Sequence, residues 1–198
     1  SAFQTRDDMV EVWVTNDRAE AVVADATLRV FDFGGDEAKT LDLSGQAPPN
    51  GALLLGLCAV DELAPERAQV FALLDLRVEG HHFRNKHVFT TWKSCELPRA
   101  QVQITVKEVD AGRFRVTVKV DAPVFYLSLD AEGTRGEFDD NCFALLPHEE
   151  KELVFTSKGA APSAHELKKA LTVSALLTDR PHMFLIELTK PLDEITAS

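Results

Sequence analysis

The sequence predicts an all-β protein, built as two tandem Ig-like antiparallel β-sandwiches with one short helix near the C-terminus. Three observations support this fold class. Apolar and polar residues alternate with period two through most of the chain, as in strands that bury one face. Turn signals separate these short runs. The 198 residues suffice for two sandwiches, each of about 100 residues.

The strands of the first half are marked by apolar rows, with about seven short strands expected over residues 9–92. Trp13 lies opposite the first row, so it faces outward or towards a partner if that row is core. Turns are predicted at residues 34–36 and 48–51, a break at 64–66, and a further extended segment over 83–92. The apolar rows are Val10, Val12 and Val14; Ala26, Leu28 and Val30; Leu41 and Leu43; Leu53, Leu55 and Leu57; and Ala72, Leu74, Leu76 and Val78.

Residues 101–121 predict a β-hairpin. Apolar residues at 114, 116, 118 and 120 alternate with charged and polar ones, and residues 102, 104 and 106 repeat the pattern. The two runs are separated by Asp110-Ala111-Gly112. Gly112 can supply the positive φ that a three-residue hairpin loop needs.

Six or seven strands are expected over residues 101–189. Ser163 and Glu166 have the spacing of a capping box, which predicts a two-turn helix over residues 164–170. Residues 184–186 predict an extra edge strand. The other rows, each expected to share one face, are Phe125, Leu127 and Leu129; Leu153 and Phe155; and Leu171, Val173, Ala175 and Leu177.

The domain boundary is predicted near residues 95–100, where Pro98 interrupts the strand pattern. The predicted domains are therefore residues 1–97 and 98–198. Because the connecting segment is short, we expect the two domains to pack together.

The composition disfavours several classes of function. The formal net charge is −11, so neither nucleic acid nor an anionic membrane surface is expected as a partner, since both are negative too. No apolar run reaches the roughly 18 residues of a transmembrane helix. The first residues lack the features of a signal peptide, and the absence of an initiator Met is typical of a piece cut from a longer protein.

The cysteines are Cys58, Cys95 and Cys142. Their odd number and wide spacing argue against a disulfide framework, so all three are predicted to be reduced and partly buried. No Asn-x-Ser/Thr sequon is present. These features favour a reducing compartment, and we expect a soluble, cytoplasmic protein.

The sequence contains no nucleophile-elbow, phosphate-loop or zinc-protease motif. His81, His82 and His87 are the nearest approach to a metal cluster, but zinc needs three or four ligands within tetrahedral reach. They are interpreted as exposed histidines on a turn. No catalytic residue, metal or cofactor is expected.

Two acidic groups also receive structural interpretations. The segment Asp139-Asp140-Asn141 with Glu150 resembles a calcium loop in spacing only, because Phe143 and Ala144 replace a ligand and the turn glycine. It is interpreted as a cap that accepts backbone hydrogen bonds. Glu149 and Glu150 are adjacent, so they point apart and cannot face each other across a sugar. They are interpreted as a solvated loop edge.

Trp13 and Trp92 are the candidate contact residues. Exposed aromatic rings on a β-sandwich stack on sugars, whereas large aromatics also anchor protein interfaces. We consider both roles, and the interface is the more common one.

Residues 135–155 resemble the signature of the last Ig-like domain of β-mannosidases in glycoside hydrolase family 2. That signature contains an aromatic residue, Ser-Asp-Asn, two aromatics, and Leu-Leu-Pro-Gly-Glu before a basic residue and a strand. Asp139, Cys142 and His148 depart from it, at positions where Ser, an aromatic residue and Gly are usual. The positions that fit are Phe138, Asp140, Asn141, Phe143, Leu146, Pro147 and Glu149.

Flanking segments extend the resemblance to about residues 9–178. Residues 83–98 look like the end of the preceding mannosidase Ig-like domain, and residues 166–176 look like the closing strand of the final one. In that family the catalytic glutamates lie on an upstream (β/α)8 barrel. The resemblance therefore implies non-catalytic accessory domains of a β-mannosidase-like glycosidase, with that barrel as partner.

A rival hypothesis is a stand-alone module that binds carbohydrate or protein. A binding module should have an exposed aromatic strip or groove, whereas an accessory domain should have an apolar patch where the barrel docks.

Overall fold

The computed structural model describes residues 2–179 and 182–187. The chain divides into two compact units, Ser1–Leu97 and Pro98–Ser198. Both consist of antiparallel strands arranged in two sheets, and the fold is the expected all-β, Ig-like one. None of the helices in the described part of the chain is long and apolar enough to cross a membrane.

The first unit has a three-stranded sheet in the order β1-β2-β5 and a four-stranded sheet in the order β4-β3-β6-β7. A short helix α1 follows β5, and a 3-10 turn at Trp92–Ser94 follows β7. The elements are β1 (Ala2–Arg6), β2 (Met9–Asn16), β3 (Val22–Asp32), β4 (Glu37–Ala47), β5 (Gly51–Ala59), α1 (Val60–Leu63), β6 (Val70–Val78) and β7 (His81–Val88).

The core of the first unit comes from the predicted alternation. The buried apolar faces of β2, β3 and β6 meet between the two sheets. Burial of these rows removes apolar area from water, which is the main force that holds the sandwich together. The predicted turns at 34–36 and 48–51 are present, with Gly35 and Asn50 at positive φ. The core rows are Val10, Val12 and Val14; Ala24, Ala26, Leu28 and Val30; and Ala72, Leu74 and Leu76.

Strand β5 departs from the predicted alternation. Val12 pairs with Gly56 and Trp13 with Leu54, so Leu55 is an extra residue that shifts the register. Such a bulge reverses the faces beyond it. Leu53 and Leu55 pack on the core, but Leu57 is 53% exposed, contrary to its predicted place in one row with them.

Three further differences concern the elements themselves. Strand β1 and helix α1 lie outside the predicted set. The extended segment predicted over residues 83–92 ends at Val88, and Trp92 begins the 3-10 turn instead.

The second unit pairs a sheet in the order β12-β10-β14-β15 with one in the order β11-β13-β9-β8. Its core contains Phe114, Phe155 and Leu167. The elements are β8 (Val102–Asp110), β9 (Arg113–Val120), β10 (Val124–Ala131), β11 (Gly136–Phe138), β12 (Phe143–Leu145), β13 (Glu150–Ser157), α2 (Ala164–Ala170), β14 (Leu171–Asp179) and β15 (His182–Glu187).

The predicted hairpin is formed by β8 and β9, with Gly112 at φ 72°. Its loop is shorter than predicted, since Asp110 pairs with Arg113 across Ala111-Gly112 alone. The register shift lies one step earlier, between Glu108 and Asp110. Asp110, the first residue of the predicted loop, is therefore part of strand β8.

Strand β10 contains a second irregularity that changes which side chains face the core. Tyr126 has a positive φ of 54°, and the pairing with β14 shifts between Phe125 and Ser128. Leu127 and Leu129 join the core together with Val124, whereas Phe125 is buried outside that cluster. The prediction that Phe125 shares their face was wrong, because it assumed an unbroken pleat.

The predicted helix is confirmed as α2. The hydroxyl of Ser163 accepts a hydrogen bond from the backbone N–H of Glu166, and the Glu166 carboxylate accepts one from the N–H of Ser163. This capping box satisfies two amides that the first turn leaves without partners. The predicted extra edge strand is β15, which pairs with β14 at the edge of its sheet.

Candidate functional site

A group of charged side chains lies on the outer face of the sheet β4-β3-β6-β7. At its centre is Asp75, whose side chain is 8% exposed. The Asp75 Oδ2 accepts a hydrogen bond from Arg29 Nη2 at 2.5 Å, and Oδ1 accepts from Arg84 Nε at 2.8 Å. The His82 Nε2 lies 2.9 Å from the same Oδ1. Two strands, β3 and β7, thus contribute three partners to one carboxylate on β6.

Register explains why these residues meet. Asp75 is opposite Thr27 on β3 and opposite Arg84 on β7. The even-numbered residues of β6 point into the core, so the odd-numbered ones share the outer face. On that face, Asp75 follows the buried Phe71 and Leu73. The outer face is therefore apolar at one end of β6 and charged at the other.

The electrostatics keep Asp75 ionised. Burial alone would raise its pKa, but hydrogen bonds from Arg84 and Arg29 outweigh burial, and the pKa of Asp75 lies below its usual value. Both oxygens already accept hydrogen bonds. Asp75 is thus placed to hold the guanidinium groups in position rather than to act as a nucleophile or general base.

Above Asp75 lies a pocket of about 310 Å³. Its lining contains three arginines and a single carboxylate, so its formal charge is +2 with His82 neutral, whereas the whole chain has −11. Six residues line it: Thr27, Arg29, Asp75, Arg77, His82 and Arg84. Pockets of this size hold small ligands, and this one favours an anion.

The patterns in the sequence do not predict this pocket. The available signal is Asp75 itself, a lone carboxylate in the otherwise apolar run Val70–Leu76. A charge on a buried strand requires a partner. The alternation of β7 offers His82 and Arg84 on one face, but the pairing of β7 with β6 cannot be read from the sequence.

Trp13 and Trp92 lie on different elements. Trp13 is half-buried on the outer face of β2, opposite the core row as predicted, and its indole N–H donates to Glu11 Oε2 at 2.8 Å. Across the strand pair it faces Leu54, and Glu11 faces Leu57. Leu54 is 40% exposed, so the indole and the two leucines form an apolar patch. Trp92 is half-buried at the start of the 3-10 turn.

Comparison with known protein families gives two adjacent matches. Residues 8–94 match a mannosidase Ig/CBM-like domain, and residues 97–178 match the Ig-fold domain of mannosidases. The chain is a tandem of mannosidase-type Ig domains. The two matches confirm the resemblance of the sequence to the Ig-like domains of β-mannosidases.

Solved structures also share the fold of this Ig tandem. A β-D-mannosidase from Dictyoglomus thermophilum matches with a TM-score of 0.68 and 21% identity, over 90% of this chain and 21% of that chain. An exo-chitosanase from Amycolatopsis orientalis matches with a TM-score of 0.52 and 17% identity, over 88% of this chain and 25% of that chain. The Ig tandem thus spans a fifth to a quarter of those chains. Among curated proteins, none matches.

In the second Ig domain, the Asp139-Asp140-Asn141 segment links β11 in one sheet to β12 in the other. As predicted, it accepts backbone hydrogen bonds: Asp139 Oδ1 from the N–H of Val154 at 2.8 Å, and Asn141 Oδ1 from the N–H of Leu129 at 2.9 Å. The Lys151 Nζ lies 2.5 Å from Asp140 Oδ2, and this pairing lowers the pKa of Asp140. These signature residues join the two sheets.

The adjacent glutamates of this domain also have structural partners. Glu149 is half-buried, and its Oε2 accepts a hydrogen bond from the N–H of Leu146 at 3.3 Å. Glu150 forms an ion pair with Lys119 on the neighbouring strand. The prediction of a solvated loop edge is correct for Glu150, which is exposed, but wrong for Glu149, which is half-buried.

The three histidines of the first Ig domain all lie on strand β7, not on the predicted turn. His82 faces Asp75, whereas His87 belongs to the opposite face and is half-buried. The His87 ring stacks on Phe3 with centroids 5.1 Å apart. In the described part of the chain, no group of three His, Cys, Asp or Glu side chains is arranged to hold a metal ion.

None of the three cysteines of the Ig tandem forms a disulfide within the described residues. Cys95 is buried, which raises the pKa of its thiol to about 11. Burial also raises the pKa of Cys58, which is half-buried. Cys142 is exposed, so the prediction of partial burial was wrong there.

Proposed function

We propose that this chain serves as non-catalytic accessory domains of a β-mannosidase-like glycoside hydrolase that acts on β-mannosides. The observation that supports this most strongly is the order of the two family matches, a mannosidase Ig/CBM-like domain followed directly by the Ig-fold domain. The described strands are antiparallel, and no (β/α)8 barrel is among them. The catalytic carboxylates would therefore belong to a separate barrel.

The partner in this proposal is that barrel, and the first Ig domain offers a surface for it. Trp13, Leu54 and Leu57 present apolar area on the outer face of β2 and β5. Exposed apolar patches mark sites of protein contact. A half-buried indole among aliphatic side chains has the composition of an interface core.

The test uses the chain alone and in a mixture with a β-mannosidase-like barrel from the same organism. Alone, it should not hydrolyse 4-nitrophenyl β-D-mannoside. Mixed with the barrel, it should raise the barrel's melting temperature, because a ligand of the native state stabilises that state. A double variant, Leu54→Glu with Leu57→Glu, should lose this effect. Val23→Glu is the matched control, since Val23 is 55% exposed on the other sheet.

Hydrolysis by the chain alone would contradict the non-catalytic assignment. An unchanged melting temperature of the barrel with the wild-type chain would contradict the partnership. If the double variant still raised the melting temperature of the barrel, the contact would lie elsewhere on the tandem.

A carbohydrate-binding role is the second candidate, favoured by the pairing of Trp13 with Glu11. An indole face beside a carboxylate provides a stacking surface and a hydrogen-bond acceptor for sugar hydroxyls. Titration calorimetry with mannose and manno-oligosaccharides tests this role. Saturable heat that is lost in Trp13→Ala or Trp92→Ala would establish a binding module, whereas no heat at millimolar sugar would leave only the accessory role.

A further inference from the structure

The pocket above Asp75 holds more positive charge than its own carboxylate balances. Arg29, Arg77 and Arg84 line it with Asp75 as the sole carboxylate. Asp75 accepts from Arg29 and Arg84 with both of its oxygens. A guanidinium group carries five N–H donors in a planar fork that matches a carboxylate. The six lining residues are thus net positive on a negatively charged chain, although Asp25 and Asp42 lie nearby on β3 and β4.

Arg77 differs from the other two arginines because it does not pair with Asp75. It is exposed on β6, opposite His82 in register. Among the described residues, no carboxylate lies within ion-pair distance of its guanidinium group. Arg29 donates Nη2 to Asp75, and its guanidinium lies over the Phe31 ring at 5.3 Å from the centroid. The Phe31 ring and Asp75 thus fix Arg29, while Arg77 is able to meet a ligand.

The other side of the pocket offers groups that suit hydroxyls. Thr27 lines the pocket and donates its hydroxyl to Asp42 Oδ1 at 2.9 Å. Asp42 is exposed on β4, next to Thr27 in register. The Thr27 oxygen and the Asp42 carboxylate are acceptors for ligand O–H groups. Asp25, which is opposite Arg77 on β3, adds negative charge near that arginine.

These charges discriminate between anions. A phosphate with nearly two negative charges would be repelled by Asp25 and Asp42, the register neighbours of Arg77 and Thr27. A single carboxylate pairs with a guanidinium bidentately and keeps the rest of the ligand neutral. A ring that carries one carboxylate and several hydroxyls matches both sides, and about 310 Å³ is the lower range of ligand pockets.

We propose that this pocket binds a hexuronic acid, a sugar ring with one carboxylate. The carboxylate lies against Arg77 and Arg29, and ring hydroxyls donate to Thr27 and Asp42. Asp75 holds Arg29 and Arg84 in position by hydrogen bonds, and His82 lies within hydrogen-bond distance of Asp75. This site lies on the outer face of β3 and β6, apart from Trp13 on β2, and does not depend on the accessory role.

The experiment titrates the full 198-residue chain with D-glucuronate by calorimetry at low salt. We expect saturable one-to-one binding that weakens as salt is added, since the contact is between charges. Arg77→Gln should weaken binding by about tenfold or more, the range of a lost charged hydrogen bond. Arg115→Gln is the matched control, because Arg115 is an exposed strand arginine outside the pocket. Thermal melts verify that both variants fold.

Three comparison ligands test the individual contacts. D-glucose has the hydroxyls without the carboxylate, acetate has the carboxylate without the ring, and inorganic phosphate has more charge. Each should bind more weakly than glucuronate. Thr27→Val, which keeps the side-chain volume, should weaken the binding of glucuronate and leave the binding of acetate unchanged.

The proposal fails if the wild-type chain gives no saturable heat with glucuronate at about 10 mM, where even a weak millimolar site would be filled. It also fails if Arg77→Gln binds as tightly as the wild type. Equal binding of phosphate or acetate would exclude a sugar-acid site. Mannose binding that requires Trp13 and not Arg77 would support the carbohydrate module instead.

Discussion

The side-chain amide of Asn141 takes the place of a paired strand residue beside β10. Its Oδ1 accepts from the N–H of Leu129 at 2.9 Å, and its Nδ2 donates to the carbonyl oxygen of Leu129 at 2.8 Å. This double exchange is the bonding pattern of one residue pair in an antiparallel ladder. A single amide therefore satisfies the backbone where β12 is too short to do so.

Replacement of Asn141 with alanine should destabilise the second unit by about 1–3 kcal/mol, because it leaves a partly buried donor and acceptor without partners. Urea unfolding followed by circular dichroism measures the loss. Gln103→Ala is the control, since Gln103 is exposed on β8 and its amide makes no hydrogen bond within the described residues. Equal midpoints for both variants would contradict the role of Asn141.

Individual polar residues were predicted well where their function is local. Asp139 and Asn141 accept backbone hydrogen bonds as expected, and Ser163 caps α2. Asp75 was missed because its partners come from β3 and β7, more than five residues away along the chain. Long-range partners depend on strand pairing, which composition and spacing do not specify.

At the scale of an element, β7 contacts β1 through one histidine. The His87 Nε2 lies 3.0 Å from Thr5 Oγ1, and the ring packs between Phe3 and Phe89. Burial lowers the pKa of His87. The neutral ring is therefore the form that fits between the two sheets of the first unit.

The stability of the first unit should fall as the pH decreases below about 6.5, the pKa of an unfolded histidine. Below that pH the unfolded state binds the His87 proton more readily than the folded state, so protonation favours unfolding. The loss continues down to the lowered pKa of the folded state. Urea midpoints between pH 5 and 8 measure it.

The variant His87→Gln should flatten this pH dependence, although its stability at pH 8 is lower because the ring contacts are gone. His165→Gln is the control, since His165 is exposed. A profile as steep in His87→Gln as in the wild type would assign the effect to other groups.

The predicted strands were present, but some of their faces were not as expected. Alternation assumes an unbroken pleat, and extra residues near Leu55 and Tyr126 shift the register. As a result, Leu57 faces outward, and Phe125 lies outside the core that holds Leu127. A bulge depends on the partner strand, so the sequence of one strand does not reveal it.

At the scale of the whole molecule, the chain forms two units with separate cores. The all-β class and the Ig-like resemblance were predicted from alternation and from the signature in residues 135–155, and both are confirmed. The strand order within each sheet was not predicted, since antiparallel neighbours are frequently distant in sequence. The predicted domains, residues 1–97 and 98–198, stay a prediction about independent folding.

Residues 98–198 expressed alone should fold cooperatively, because their core draws on their own strands and on α2. A single sigmoidal urea transition and a dispersed amide NMR spectrum would show this. A fragment of residues 112–198 is the control, since it lacks β8 and exposes the edge of β9. A collapsed spectrum for residues 98–198 would mean that the boundary is misplaced or that the units fold together.

The buried carboxylate of Asp75 also constrains the order in which mutations can accumulate. Loss of both Arg29 and Arg84 before Asp75 would leave an uncompensated buried charge, a cost of about 3–5 kcal/mol, which is a large share of the roughly 5–15 kcal/mol that stabilises a domain. Loss of Asp75 first is milder, because the two arginine side chains are 26% and 31% exposed and can reach water. Evolutionary paths that dismantle this site should therefore begin at the aspartate, and intermediates that keep the aspartate without its arginines should be rare.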